Sequence, residues 1–113
     1  MRLDERGGEP VWVMPFHDDV VGRPGFLHGG AIAGLLEIAS FSALQRALGE
    51  REAEMKPITV TVDYMRAGNP VDTFAAGVVE RLGARIANVE AYAWQAERSA
   101  PIASARLNFL LKR

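Results

Sequence analysis

Residues 29–48 (GGAIAGLLEIASFSALQRAL) constrain this chain more than any other segment. They read as one uninterrupted helix, stopped by Gly49. At 1.5 Å per residue such a helix runs roughly 30 Å, the width of a small domain. Between Gly29 and Gln45 its only charged residue is Glu37. A helix that is apolar on every side is normally buried on every side. The rest of the chain must therefore wrap it, and Glu37 is expected to be a buried or half-buried carboxylate.

With 113 residues the chain makes one domain, 1–113, large enough to hold a core without staples. Residues 1–10 read as a loose polar lead-in. The material available for wrapping is extended chain. Val11 to Phe16 suggests a short strand, and residues 17–28 (HDDVVGRPGFLH) suggest a loop punctuated by Gly22, Pro24 and Gly25. Residues 58–66 alternate, with Ile58, Val60, Val62 and Tyr64 on one face and Thr59, Thr61 and Asp63 on the other. Residues 71–82, 85–97 and 101–111 read as three more strands. In the second of these, Ala87, Val89, Ala91 and Ala93 share a face small enough for a helix to lie close. Turns fall at Gly68-Asn69, Gly83-Ala84 and Ser99-Ala100-Pro101. Short connections imply antiparallel pairing, and one helix against such a sheet is an α+β domain.

Composition removes several functions. Lys and Arg (13) nearly balance Asp and Glu (14), so the chain lacks the basic footprint of a nucleic-acid binder. Without cysteine there is no disulfide, thiolate metal site or thiol nucleophile. His17 and His28 alone do not make a histidine-rich metal site, and His17 beside Asp18 and Asp19 reads as a solvated loop. No run reaches the ~18 consecutive apolar residues of a membrane span. The polar start MRLDERGGEP has no apolar signal core. The expectation is a soluble cytoplasmic protein with neither membrane nor nucleic-acid partners.

Two features meet on the helix. Gly29 and Gly30 open it, where backbone N–H groups lack intrahelical acceptors and a ligand can approach closely. Such an end suits a phosphate, a carboxylate or a developing oxyanion. Glu37 follows eight residues later, roughly 12 Å along the axis. That is too far for both to reach one reacting carbonyl. Two antiparallel helices crossing near Ala33 bring Gly29 of each chain to Glu37 of the other. Gly30 and Gly34 leave room for that approach, and the spacing argues for an obligate dimer with shared sites.

His28-Gly29-Gly30-x₄-Leu35-x-Glu37-x-Ala39 resembles the signature of hotdog-fold acyl-CoA thioesterases of the phenylacetate-pathway type. Asp63-Tyr64-Met65-Arg66, the turn from Arg81 to Ala87 and the closing Ile102 to Arg106 are similar to further segments of that family. The resemblance implies a five-stranded antiparallel sheet wrapped around one long central helix. It implies Gly29 N–H as the group that polarises the thioester carbonyl, Glu37 as nucleophile or base, and His28 as the residue that orients the thioester. It implies a coenzyme A groove lined by Gly30, Tyr64, Met65, Arg66, Ala67, Gly83, Ala84, Arg85 and Ile86, with Arg66 and Arg85 available to phosphates. Homodimers, often paired into tetramers, are implied, with no cofactor beyond the coenzyme A of the substrate. Two positions depart from the family. Gly22 stands where it usually has Asn or Gln, and Pro57 stands near its assisting Ser or Thr, with Thr59 nearby. An acyl-thioester dehydratase or hydratase, and a non-catalytic acyl-CoA-binding subunit, are the competing readings.

Overall fold

The computed structural model describes residues 1–17, 20–22, 27–51 and 53–112. Its elements in chain order are β1 (Arg2–Arg6), β2 (Glu9–Met14), α1 (Gly29–Leu48), β3 (Glu54–Tyr64), β4 (Thr73–Leu82), β5 (Ile86–Trp94) and β6 (Ala103–Lys112). The strands form one antiparallel sheet in the order β1-β2-β4-β5-β6-β3, and α1 packs across one face of it. The α+β class and the long central helix hold as read from the sequence.

The strand count does not. The sheet has six strands rather than five, because residues 1–10 are not a loose lead-in. Arg2–Arg6 pairs with β2 through a hairpin whose Gly7 and Gly8 both have positive φ, +59° and +80°. Consecutive glycines supply that turn geometry without steric cost. Of the loop expected over residues 17–28, positions 18, 19 and 23–26 lie outside the described residues. The described parts double back: Val21 bridges Leu27, and the His28 N–H donates to the Val20 carbonyl at 2.6 Å.

Packing follows the small-residue face of β5. Ala87, Val89, Ala91 and Ala93 are all buried beneath the helix, which contributes Leu35, Leu36 and Leu44 to the same core. The closest approach is at Gly77 of β4, where an added Cβ would stand 2.7 Å from the Ala39 carbonyl oxygen. No side chain fits between helix and sheet there. Phe41 of α1 meets Phe109 of β6 edge-on with ring centroids 4.9 Å apart. The Trp12 indole N–H donates to the Ser42 hydroxyl, tying β2 to the helix. By length and composition α1 is apolar enough to cross a membrane (mean hydropathy 1.2), and its place in this core gives that apolarity a structural reason.

Burial of α1 is nevertheless one-sided. Gly30, Glu37 and Ile38 are exposed, and nothing lies within 4 Å of a Cβ added at Gly34. The expectation of a helix buried all round, with Glu37 buried or half-buried, is thus corrected for the single chain. An apolar composition does not distinguish cover by the chain's own sheet from cover by something else. Among the described residues β3 pairs only with β6, and nothing pairs with its other edge. Val60, Val62 and Tyr64 face the helix side of the sheet, opposite Leu107, Ala105 and Ala103. Ile58 does not share their face through regular pairing, as the alternation suggested. A bulge between Pro57 and Thr59 leaves it unpaired, 53% exposed.

Candidate active site

His28 is the residue that starts the helix. Its backbone is extended (φ −70°, ψ 129°), and its carbonyl accepts from the Ala31 and Ile32 N–H groups at 3.0 and 3.2 Å. Its ring Nδ1 accepts from the Gly30 N–H at 2.9 Å. Helix starts leave their first N–H groups without intrahelical partners, and here three of them are satisfied by one residue. Of the first four N–H groups of α1, Gly29 to Ile32, only that of Gly29 has no acceptor among the described residues. The hydrogen-bond pattern also assigns the ring tautomer. With Nδ1 accepting, neutral His28 carries its hydrogen on Nε2 and presents it as a donor.

Gly29 is fixed from the other side by β3. The Tyr64 hydroxyl donates to the Gly29 carbonyl at 2.9 Å, and its ring lies 3.6 Å from where a Gly29 Cβ would be. Beyond Tyr64 the chain turns away along the mouth of a cavity of about 550 Å³. His28, Gly29, Tyr64, Met65, Arg66 and Ala67 line it, together with Gly22, Leu27, Ile32 and Gly68. The helix tip at Gly29 and the oriented imidazole of His28 therefore line a mostly apolar space whose lining includes one arginine. The arrangement can hold a polarised oxygen at its inner end and an apolar group beside it.

The structure gathers six of the twelve residues singled out from the sequence and leaves six outside this cavity. Gly30 is not on its lining, its N–H being taken by His28. Glu37 is exposed two turns further along α1. Gly83, Ala84, Arg85 and Ile86 form the β4–β5 turn at the other end of the sheet. Ile86 lies across β6 from Lys56, both being opposite Leu110, whereas Tyr64 lies opposite Ala103. From Lys56 to Tyr64 is roughly 27 Å of extended chain. Thr59 pairs with Asn108 on the sheet face away from the helix, so it does not replace the hydroxyl missing at Pro57.

Three lining residues, Leu27, Ile32 and Gly68, escaped sequence reasoning, while the fourth addition, Gly22, is the position already marked as a departure from the family. Ile32 had a signal, standing three residues after Gly29 and so on the same helix face. Leu27 and Gly68 meet through a contact distant in sequence: the Leu27 N–H donates to the Gly68 carbonyl at 3.2 Å. Gly22 lies against His28, with an added Cβ 3.3 Å from the His28 Cα. Among the described residues no group of three or more acidic or histidine side chains is placed to hold a metal ion.

Comparison with known proteins extends this picture. The family model of the thioesterase superfamily matches residues 24–102. Among solved structures, a Chromobacterium violaceum protein is 35% identical, with a TM-score of 0.73 over 99% of this chain and 78% of its own. The BH2602 protein of Bacillus halodurans, solved with CoA, is 20% identical with a TM-score of 0.87, covering 99% of this chain and 74% of that one. A phenylacetic acid degradation-related protein from Ralstonia eutropha is 17% identical with a TM-score of 0.81, covering 96% and 83% respectively. No curated protein matches the sequence. On the family match and the shared architecture, the chain belongs to the thioesterase superfamily and has its hotdog fold.

Proposed function

We propose that the protein hydrolyses an acyl-CoA thioester to the free acid and coenzyme A, at sites shared between two copies of the chain. The observation that carries this reading is Gly29, whose N–H has no acceptor among the described residues and which lines a mostly apolar cavity beside His28 at the helix tip. A thioester carbonyl seated there takes a hydrogen bond from Gly29 N–H, and the His28 Nε2–H orients the same group. Such preorganised donors favour the oxyanion that develops as the carbonyl is attacked. The coenzyme A bound to the Bacillus halodurans neighbour supports a ligand of that type.

Glu37 supplies the attack, either directly or by taking a proton from water. Within one chain it is too far along the helix to do so. A second copy, added antiparallel along the free edge of β3, resolves this. The exposed Val60 and Ile38 supply apolar cover for the contact. The partner's Glu37 then stands opposite Gly29, and the partner's 83–86 turn comes to the Tyr64 end of β3. That gathers five of the six residues the single chain leaves apart, Gly30 staying engaged with His28, and offers Arg66 and Arg85 to coenzyme A phosphates. On either route the C–S bond breaks, and the thiolate leaves and is protonated. On the direct route water then hydrolyses the Glu37 anhydride to release the free acid. On the water route the attacking hydroxyl becomes part of the acid, and Glu37 gives its proton up to solvent or the thiolate. No metal or added cofactor takes part. The dimer is proposed to pair further into tetramers in the cytoplasm.

The test is a panel of acyl-CoAs followed for free thiol and for 2-enoyl absorbance, with Glu37→Ala as control. Thiol release that the substitution abolishes is the expected result. Enoyl change without thiol favours a dehydratase or hydratase. Tight binding with neither favours a binding subunit, a reading to which the bare Gly22 beside His28 lends support.

A further inference from the structure

The geometry points to Gln95 as a positioning residue that sets the wall of the cavity from outside it. Gln95 follows the last residue of β5 and lines no part of the cavity. Its side-chain amide clamps the segment between β3 and β4. Oε1 accepts from the Asn69 N–H at 2.9 Å, and Nε2 donates to the Asn69 carbonyl at 2.9 Å. Two opposed bonds to one residue's backbone imitate a rung of a β-ladder and fix its orientation as well as its place. The same Nε2 reaches the Thr73 hydroxyl at 3.1 Å. Thr73 is one of only two fully buried polar side chains among the described residues, so Gln95 satisfies a group that water cannot.

What the clamp holds is the cavity wall. The residue before Asn69 is Gly68, whose carbonyl accepts from the Leu27 N–H. A Cβ at Gly68 would stand 2.8 Å from Leu27 Cδ1, so the two segments touch with no slack. Leu27 in turn precedes His28, the cap of α1. At the other end of the segment, Met65 and Arg66 are held by their N–H groups on the Ile102 carbonyl, at 2.8 and 3.2 Å. Gln95 thus connects through Asn69 and Gly68 to the backbone that presents the His28 ring and the free Gly29 N–H. Its loss loosens the wall from Ala67 to Gly68 and the approach to His28, while leaving every proposed reacting group in the chain.

The kinetic arm of the test rests on the thioesterase reading; the exchange arm does not. Backbone amide exchange is measured for the intact protein and for Gln95→Ala and Gln95→Met, the second keeping bulk without polar atoms. Val89→Ala, a core change under the helix, serves as a control for general destabilisation. Both Gln95 variants are expected to speed exchange at Asn69 and at Leu27 by roughly tenfold. KM for the best acyl-CoA is expected to rise about three- to tenfold, more than kcat falls, with Val89→Ala leaving KM in place. Faster exchange at Asn69 with Leu27 and KM unmoved overturns the proposal, as does an equal KM change in Val89→Ala. If the unaltered protein hydrolyses no acyl-CoA, the thioesterase reading fails by itself, and coenzyme A affinity replaces KM as the readout.

Discussion

The two edges of the sheet are built on opposite principles. At one end, β1 carries Arg2, Asp4 and Arg6 along one face, with Asp4 paired to both arginines at 3.5 and 3.7 Å. Charged side chains on a short strand discourage a further strand from adding. At the other end, β3 spans 11 residues and leaves Ile58, Val60 and Tyr64 exposed, Val60 by 40% and Tyr64 by 54%. A long unpaired edge that exposes apolar side chains among its polar ones is a template for another strand. The cavity lies at the Tyr64 end of this open edge and has no lining residue from β1. On the proposed shared site, the sheet closes itself away from the chemistry and stays open where a second copy would complete it. Substitutions at the open end should act on activity and assembly, and those at the closed end on stability alone.

The largest effect is expected from Gly29→Pro. Proline lacks the N–H but suits the first helical position, and His28 already has the extended backbone that a residue before proline prefers. The change therefore removes the free N–H with the helix start kept. Thioester hydrolysis should fall by ~10²–10³ in kcat with the circular dichroism spectrum preserved. An active Gly29→Pro protein contradicts the role given to that N–H.

Next come paired lysines on the two edges. Val60→Lys places charge on the open edge and should shift the protein to a monomer in light scattering, with activity lost by about tenfold or more. Leu3→Lys on the already charged strand should change neither mass nor rate. Equal behaviour of the two variants dissolves the contrast between the edges.

The smallest effect belongs to the closed end. Glu9, the first residue of β2, forms an ion pair with Arg98, and the hydrogen bond from Arg98 holds the Glu9 carboxyl below its ordinary range. A lowered folded-state pKa means stability that is complete above the unfolded value. It is lost as pH falls through the folded one, hence below about pH 4. Both side chains reach water, so Glu9→Gln should cost no more than ~0.5 kcal/mol at neutral pH in urea titrations. The cost should vanish in acid.

The helix, its end at Gly49 and the buried alanine face of β5 were legible because each has a local pattern: an unbroken apolar run of helical length, a glycine stop, and two-residue alternation. β1 was not, since Arg2, Asp4, Glu5 and Arg6 give an edge strand the composition of a loop; the Gly7-Gly8 pair was its only signal. The His28-Gly29 end of the site was legible as a motif, and Tyr64 to Ala67 as a family resemblance. The wall made by Leu27 and Gly68, and the clamp at Gln95, were not. They depend on hydrogen bonds between segments some 26 to 41 residues apart, which no local pattern encodes. Glu37 was misjudged for burial because an apolar stripe is the same in sequence whether its cover is its own sheet or a second chain.

The account turns on a site completed by two chains, and subunit complementation tests that directly. Gly29→Pro and Glu37→Ala proteins, each inactive alone, are unfolded together and refolded as a mixture. Random pairing gives mixed dimers with one intact site, so activity should return to about a quarter of the unaltered protein. A mixture as inactive as its components contradicts the shared site.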